Sequence, residues 1–340
     1  MSQPWTGQVV LRVNDHLTAF FADKRAQLAG LTPHAFELVD AAAELTMRGG
    51  KRLRCLLMFA AFRSAGGEDR VERLLDAMAS IELLQTYLLI QDDWMDDDTQ
   101  RRGGPAVHAA FAEQRKNPKL GASLGILTSD LAAGFAFELL HRTAVGAVRA
   151  GEILAAYDEL HREVLCGQQL DLLQHSEVEH THDLKSGSYS VRGPMRVGAL
   201  IANASAEQLA VLERFGRPLG VAFQLRDDLL GTFGDPRLTG KPAGHDLRAG
   251  KNTTLVREAR GLMDAAGLAL LDRVLGNQAA SPAELADATR AIESSGARAR
   301  VEARLAALAN QAEEALRSPL SAEGLAMLRE LLNLVVLRDR

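Results

Sequence analysis

The sequence predicts an all-α protein, and three observations carry that expectation. Of 340 residues, 47% are hydrophobic and only 5% aromatic, and the abundance of Ala and Leu favours helices over sheets. Apolar residues recur at helical spacing along most of the chain. The alternating Val/Ile/Thr/Tyr runs bounded by turns that mark strands are absent. A chain of this length can bury a large core. No repeat of fixed period, coiled-coil heptad run or interdomain linker divides it, so residues 1–340 read as a single domain, a helical bundle around a central cavity.

The charge balance, 39 Lys+Arg against 44 Asp+Glu for a net −5, excludes non-specific nucleic-acid binding. Cys55 and Cys166 fit no metal spacing and no disulfide framework, and are expected as buried free thiols in a reducing compartment. Asp15, Asp23, Lys24 and Arg25 interrupt the N-terminal apolar pattern, which is not that of a signal peptide. The most apolar long window, Leu120 to Leu140, is broken by Asp130 and Glu138. It is expected as a helix buried inside a bundle and not as a membrane span. Together these point to a cytoplasmic protein.

Helical spacing from Val9 to Leu28 stops at Gly30 with Pro33 beyond, and a second helix is expected from His34 to Met47. Arg48-Gly49-Gly50-Lys51-Arg52-Leu53-Arg54 follows. Two glycines free the backbone and four cations stand at the start of the apolar helix Leu53 to Phe62, so the segment is either an anion site suited to phosphate or a solvated basic turn. A long helix is expected from Arg70 to Asp98, and Gly103-Gly104-Pro105 ends it. His108 opens a short helix; Ser123 to Thr143 and Gly151 to Leu173 form two more. Gln168, Gln169 and Asp171 either line the cavity or cap their helix. Lys185-Ser186-Gly187-Ser188-Tyr189 leads into a helix expected to kink at Gly193-Pro194, exposing carbonyl oxygens. Leu209 to Leu230 is another long apolar helix. Gly234 to Lys251, with Lys241 and Lys251, has the composition of a Gly-rich lid over an anion. From Thr254 to Arg340 the pattern is helical and amphipathic.

Two stretches are costly without a partner. Asp92-Asp93-Trp94-Met95-Asp96-Asp97-Asp98 packs five carboxylates at a helix C-terminus, where the helix dipole disfavours negative charge. On a helix Gln85, Leu88, Asp92 and Asp96 share one face, with Asp92 and Asp96 one turn apart. Asp227-Asp228 repeats the design at the end of a second apolar helix, preceded by Gln224. Two such ends suggest facing metal ligands in a helical bundle. Oxygen-only ligands select Mg²⁺ or Mn²⁺, and carboxylates hold phosphates through such ions. Apolar walls around them imply a diphosphate with a hydrocarbon tail. No Ser-His-Asp or Cys-His arrangement stands beside them, so ionisation with diphosphate as leaving group is the chemistry indicated.

In these motifs the chain resembles the trans-polyprenyl diphosphate synthases, the head-to-tail isoprenoid elongation enzymes. The residues that carry the resemblance are GGKRLR (Gly49 to Arg54), IELLQ (Ile81 to Gln85), DDWMDDDTQRRG (Asp92 to Gly103) and KSGSYS (Lys185 to Ser190). FQLRDDLLGTFGDPRLTGK (Phe223 to Lys241) and GHDLRAGK (Gly244 to Lys251) complete the set, in family order. The resemblance implies an isoprenoid synthase fold, a homodimer and three Mg²⁺ ions. It implies metal binding by Asp92 and Asp96 with Asp93 in support, and by Asp227 with Asp228 nearby. It places Lys51, Arg54, Gln85 and Arg102 at isopentenyl diphosphate, and Arg101, Lys185, Lys241 and Lys251 at the allylic diphosphate, whether dimethylallyl, geranyl or farnesyl. Lys185, Gln224 and the Ser186 carbonyl would lie near the allylic carbocation, and released diphosphate would remove the final proton.

Three positions depart from the family pattern: Gly231 where many members have a third Asp, Cys55 where a Pro often follows the basic motif, and Gln85 in place of a frequent His. The first acidic motif has no insertion, and Tyr87 upstream of it is aromatic while Leu88 is not. By resemblance this is the geranylgeranyl-forming short-chain type, with farnesyl diphosphate the alternative product. An ideal helix puts Tyr87 about 140° from Asp92, so a role for Tyr87 as floor of the tail pocket rests on the resemblance alone. A class I terpene cyclase would carry an Asn/Ser/Glu metal triad where Asp227-Asp228 stands. A non-catalytic synthase subunit would have lost an Asp pair or a phosphate-binding Lys.

Overall fold

The structure is a computed structural model, and it describes residues 4–32, 34–68, 71–235, 244–317 and 319–337. The helices are α1 (Trp5–Ala29), α2 (Ala35–Met47), α3 (Leu53–Ser64), α4 (Leu75–Met95), α5 (Val107–Arg115), α6 (Pro118–Ala144), α7 (Ala150–Leu172) and α8 (Val178–His182). A π-helical segment, Asp183–Arg192, leads into α9 (Gly193–Ile201) and α10 (Ala206–Phe233). Then come α11 (His245–Arg248), α12 (Thr254–Leu262), α13 (Ala265–Val274), α14 (Pro282–Ser294), α15 (Ala297–Ala315) and α16 (Ala322–Val336). Among the described residues the only strands are a two-residue antiparallel pair, β1 (Gln100–Arg101) and β2 (Gly104–Pro105). The all-α expectation therefore holds. Contacts divide the chain into two compact units, Met1–Ala156 with Pro194–Ala204, and Tyr157–Gly193 with Ser205–Arg340.

The first unit is built on α4, which packs against α6, α1, α3 and α2. From Ala77 to Ile90 every α4 residue is buried except Gln85, Leu88 and Leu89. A helix apolar almost all round must be enclosed by others, which is how it sits. Glycines let α6 lie tight on α5: a Cβ at Gly121 would overlap the Ala112 backbone, and at Gly125 it would lie 3.0 Å from His108 Cβ. Lys24 of α1, 5% exposed, reaches Glu138 of α6 at 2.7 Å with its ammonium over the rings of Phe20 and Phe135. The outer face of α6 corrects the expectation of a fully buried helix, because Leu120, Ile126, Leu127 and Phe137 are exposed. By length and composition α6 is long and apolar enough to cross a membrane. Its other face instead packs on α4, α5 and α2.

The second unit is organised around α10, against which α15, the π-helical segment, α16 and α11 pack. A capping box between Ser205 and Gln208 starts α10 by satisfying two of its orphan backbone donors. Its core includes Phe215, Leu219, Leu225, Leu247, Leu255, Ile292 and Val301. The region from Thr254 onward, read from sequence as one helical stretch, is α12 to α16.

Two boundaries differ from the sequence reading. The expected helix from Arg70 begins as a 3₁₀ turn at Val71–Leu74 before α4. The helix does not break at Gly193-Pro194. The deviation is the π-helical segment just upstream, where the Gly193 N–H donates to the Ser188 carbonyl in i→i−5 register. Pro194 brings no N–H to that turn, and the wider π register absorbs the fault.

Candidate active site

In the first unit the basic loop and the acidic helix end are brought together by a hairpin. Gly49 and Gly50 turn with φ of 94° and 122°, values open to glycine at little cost. The β1–β2 hairpin turns through Arg102 and Gly103, both at positive φ, as a tight two-residue hairpin loop requires. Arg48 fastens the hairpin by donating to the Pro105 carbonyl at 2.6 Å. Gly104 makes room for its guanidinium, which would lie 2.7 Å from an added Cβ. Arg102 donates to the carbonyls of Leu45 and Gly49.

Of the four cations in the basic motif, two are structural. Arg48 holds the hairpin. Arg52, 4% exposed, donates to Glu82 at 2.6 Å, to Asn14 at 3.0 Å and to the Thr46 carbonyl at 2.9 Å. That buried pair fixes the loop against α4, the helix carrying Gln85. Lys51 is exposed, and Arg54 lies 8% exposed in the first turn of α3. No side chain caps the N-terminus of α3, so backbone donors stand beside these cations as an anion site requires. Lys51 and Arg54, the two that the resemblance points to, are thus set apart from Arg48 and Arg52, and nothing in the local spacing shows that Arg52 belongs to Glu82.

The acidic motif separates into an outward and an inward set. Asp92 and Asp96 are half-buried, on the same side as Gln85 and Leu88. Asp96 is the C-cap of α4, its N–H bonded to the Asp92 carbonyl at 2.9 Å, so the one-turn relation survives at the helix end. Asp93 is fully buried and paired with Arg101, which also reaches Asp98 at 3.3 Å and Asp92 at 3.6 Å. Burial pushes the Asp93 carboxyl up to about 6 even with Arg101 opposing, and Asp92 and Asp98 push the same way. Tyr87, 7% exposed, is raised by burial and then by Asp130 of α6.

In the second unit two close approaches set the π-helical segment. A Cβ on Gly167 of α7 would overlap the Lys185 backbone, and one on Gly220 of α10 would lie 2.7 Å from Gly187 Cα. Lys185 then donates to Asp171 of α7 at 2.6 Å. Ser186 Oγ donates to Gln224 Oε1 at 2.6 Å, and Gln224 Nε2 donates to Asp228 Oδ1 at 3.0 Å. Asp227 is half-buried and Asp228 is 1% exposed. Burial drives the Asp228 carboxyl up to about 8, opposed by the Gln224 hydrogen bond and reinforced by Asp246 and Asp227. His182, 8% exposed, is pushed down to about 4 by burial.

The departure at Gly231 has a structural counterpart. A Cβ built there would overlap the Asp246 carboxylate, so a carboxylate from α11 fills the space beside α10. Asp246 lies in the Gly244 to Lys251 motif but is not one of the site residues that the sequence points to; a glycine facing an Asp on another helix leaves no mark in local spacing. The Lys251 N–H bonds the Asp246 carbonyl at 3.0 Å. Lys241, and with it the centre of the expected lid, lies outside the described residues. Both cysteines are free, but Cys166 is exposed, which corrects the expectation for it. Cys55 is buried against Glu82 and its thiol is raised well above the ordinary range, first by burial.

These groups fit a divalent cation of the Mg²⁺ class. The donors are all carboxylates, Asp93 Oδ2 is buried with no hydrogen-bond partner, and neighbouring carboxylates help to raise Asp93 in one unit and Asp228 in the other. Among the described residues no three His, Cys, Asp or Glu side chains form a complete metal cage. Mg²⁺ does not need one, since it keeps waters and binds through one or two carboxylates plus substrate phosphates.

The all-α fold thus carries an adjacent Asp pair on each of two long helices, α4 and α10, with the Gly49-Gly50-Lys51 loop fixed against the first by Arg52 and Glu82. Residues 36–292 match the family model described as polyprenyl synthetase, and the chain belongs to that family. It is a prenyltransferase of the isoprenyl diphosphate synthase class. It is 34% identical over 291 residues to the geranylgeranyl diphosphate synthase of Sulfolobus acidocaldarius, covering 82% of this chain and 80% of that one. It is 33% identical to the geranylfarnesyl diphosphate synthase of Aeropyrum pernix, covering 88% and 94%. Among solved structures, the geranylgeranyl pyrophosphate synthase of Corynebacterium glutamicum, complexed with isoprenyl diphosphate and magnesium, superposes with a TM-score of 0.91 at 32% identity. That match covers 96% of this chain and 98% of the other.

Proposed function

We propose that this protein is a Mg²⁺-dependent synthase that joins isopentenyl diphosphate head-to-tail to dimethylallyl, geranyl or farnesyl diphosphate, with geranylgeranyl diphosphate the main product. The observation that carries the reading is that Gln85, Leu88, Asp92 and Asp96 are half-buried along one face of a helix whose residues 77–90 are otherwise almost wholly buried. It sets metal-binding carboxylates in line with an apolar side chain, as a diphosphate with a hydrocarbon tail requires. Farnesyl diphosphate is the alternative main product.

In this reading Lys51, Arg54, Gln85 and Arg102 bind isopentenyl diphosphate, and the Arg102 contacts to the Gly49 loop support the grouping. Arg101, Lys185, Lys241 and Lys251 bind the allylic diphosphate. Asp92, Asp96 and Asp227 are the Mg²⁺ ligands, with Asp93 and Asp228 in support, and three ions are proposed. Bound Mg²⁺ would neutralise the diphosphate and make it a leaving group. The chain's own residues hold both substrates, exclude water, and direct Gln224 and Ser186 oxygens towards the developing allylic cation. No side-chain base is assigned, the final proton going to the departed diphosphate. Tyr87 and Leu88 are the proposed length-setting residues.

We read the whole chain as one functional synthase domain, cytoplasmic and without a membrane span. The exposed apolar face of α6 is the proposed contact of a homodimer, which sedimentation would test. A cyclase or a non-catalytic subunit is disfavoured because both Asp pairs and Lys51 are present.

The test is incubation with labelled isopentenyl diphosphate and each allylic primer, with Mg²⁺ or with a chelator, followed by chromatographic sizing of the products. A Mg²⁺-requiring twenty-carbon product is expected. No elongation with any primer would overturn the reading.

A further inference from the structure

We infer that Asp228 is a positioning residue that fixes the orientation of the Gln224 amide, and with it the Ser186 hydroxyl, and that it is not itself a metal ligand. The inference rests on the enzymatic reading above. In an adjacent Asp pair on a helix the two side chains point about 100° apart, so only one of them faces outward. In both pairs it is the first: Asp92 and Asp227 are half-buried, while Asp93 and Asp228 are 0% and 1% exposed.

Both oxygens of Asp228 are already engaged by protein donors. Oδ1 accepts from Gln224 Nε2 at 3.0 Å, and Oδ2 accepts from the Thr254 N–H at 3.3 Å. His182 Nε2 stands 3.8 Å from Oδ2, beyond hydrogen-bond distance. A side-chain amide by itself has two nearly equivalent orientations. When ionised, the Asp228 carboxylate accepts only from the NH₂ end, so the Gln224 carbonyl is turned to Ser186, whose Oγ donates to it at 2.6 Å. The Ser186 lone pairs and the amide oxygen then offer the negative ends of their dipoles together. With the amide reversed, an NH₂ group would take that place and oppose a developing cation. Asp228 thus sets the sign of a local dipole by geometry.

Asp228→Asn keeps the shape but turns one acceptor into a donor, so either Gln224 or the Thr254 N–H loses its partner. The variant is expected to lose about 100-fold in kcat, the scale of a misplaced group at a reacting centre. KM for both diphosphates and the Mg²⁺ concentration for half-maximal rate are expected to stay within about twofold. The rise in Tm produced by Mg²⁺ with inorganic diphosphate is expected to persist in Asp228→Asn and to vanish in Asp227→Asn. Because Asp228 acts through Gln224, the double variant with Gln224→Leu should be no slower than Gln224→Leu alone. Loss of the Tm rise in Asp228→Asn, a raised Mg²⁺ requirement, or a further loss in the double variant would overturn the inference. Should Asp228→Asn not fold, Ser186→Ala with Gln224→Leu takes its place: non-additive losses support the relay and additive ones refute it. A wild-type protein that elongates nothing would remove the enzymatic reading. The diphosphate Tm shift, which needs no turnover, would still report whether Asp228 is a ligand.

Discussion

Replacing Arg52 with Met tests whether the basic motif is held in place by a buried ion pair. The guanidinium is 4% exposed and Glu82 2%, and Arg52 makes three hydrogen bonds, to Glu82, Asn14 and the Thr46 carbonyl. Among the described residues, removing it leaves the Glu82 carboxylate in the core with the Cys55 thiol, at 3.4 Å, as its remaining donor. Breaking one side of a buried pair costs about 3–5 kcal/mol. Removing both charges is far cheaper, so Arg52→Met/Glu82→Leu should recover most of the loss. In a folding unit of this size the single change should lower Tm on the order of 10 °C. Urea denaturation of wild type, single and double variants measures the three stabilities. Because Arg52 sets the loop carrying Lys51 and the first turn of α3 carrying Arg54, KM for isopentenyl diphosphate should also rise in the single variant. A single variant within about 1 kcal/mol of wild type, or a double variant no better than the single, would refute the argument.

Gly231→Ala puts a methyl group into the Asp246 carboxylate; a loss of about 1–3 kcal/mol with a reduced rate is expected, and unchanged Tm and rate would show the contact to be unimportant. Tyr87→Ala is expected to lengthen the products on reversed-phase chromatography, and an unaltered product distribution would discard Tyr87 as floor of the tail pocket. His182 is held at about 4, below its ordinary 6.5. Between those values the unfolded chain binds a proton that the folded one does not, so stability is full above pH 6.5 and falls with acid, on the order of 3 kcal/mol by pH 4. His182→Gln should flatten that fall; parallel pH profiles of urea midpoints for variant and wild type would contradict it.

Much of the candidate site was legible because its residues are neighbours in sequence. The five carboxylates from Asp92 to Asp98, the Asp227-Asp228 pair and the Gly49-Gly50-Lys51 loop announce themselves as charge or backbone freedom that needs a ligand. That Gln85, Leu88, Asp92 and Asp96 share one helix face followed from helical period alone; the structure shows them half-buried on α4 and its C-cap. What spacing could not show was which charges are already paired. Arg48, Arg52 and Arg101 look alike in the sequence, yet Arg52 is buried on Glu82, Arg48 ties down a hairpin, and Arg101 is held among Asp92, Asp93 and Asp98. The π-helical segment was anticipated only as a fault near Gly193-Pro194, since proline reports a missing donor but not the turn that accommodates it.

The sequence by itself determined the helical class and pointed to the family, and it singled out the candidate residues proposed for diphosphate chemistry, because period, charge density and glycine placement act over a few residues. The tertiary structure decided the allocation of roles among like residues. It buried Asp93 and Asp228 while leaving Asp92 and Asp227 half-open, and it set Asp246 in the space beside Gly231. It also left one face of α6 exposed. Burial and pairing depend on what the rest of the chain brings alongside, and long-range packing fixes that.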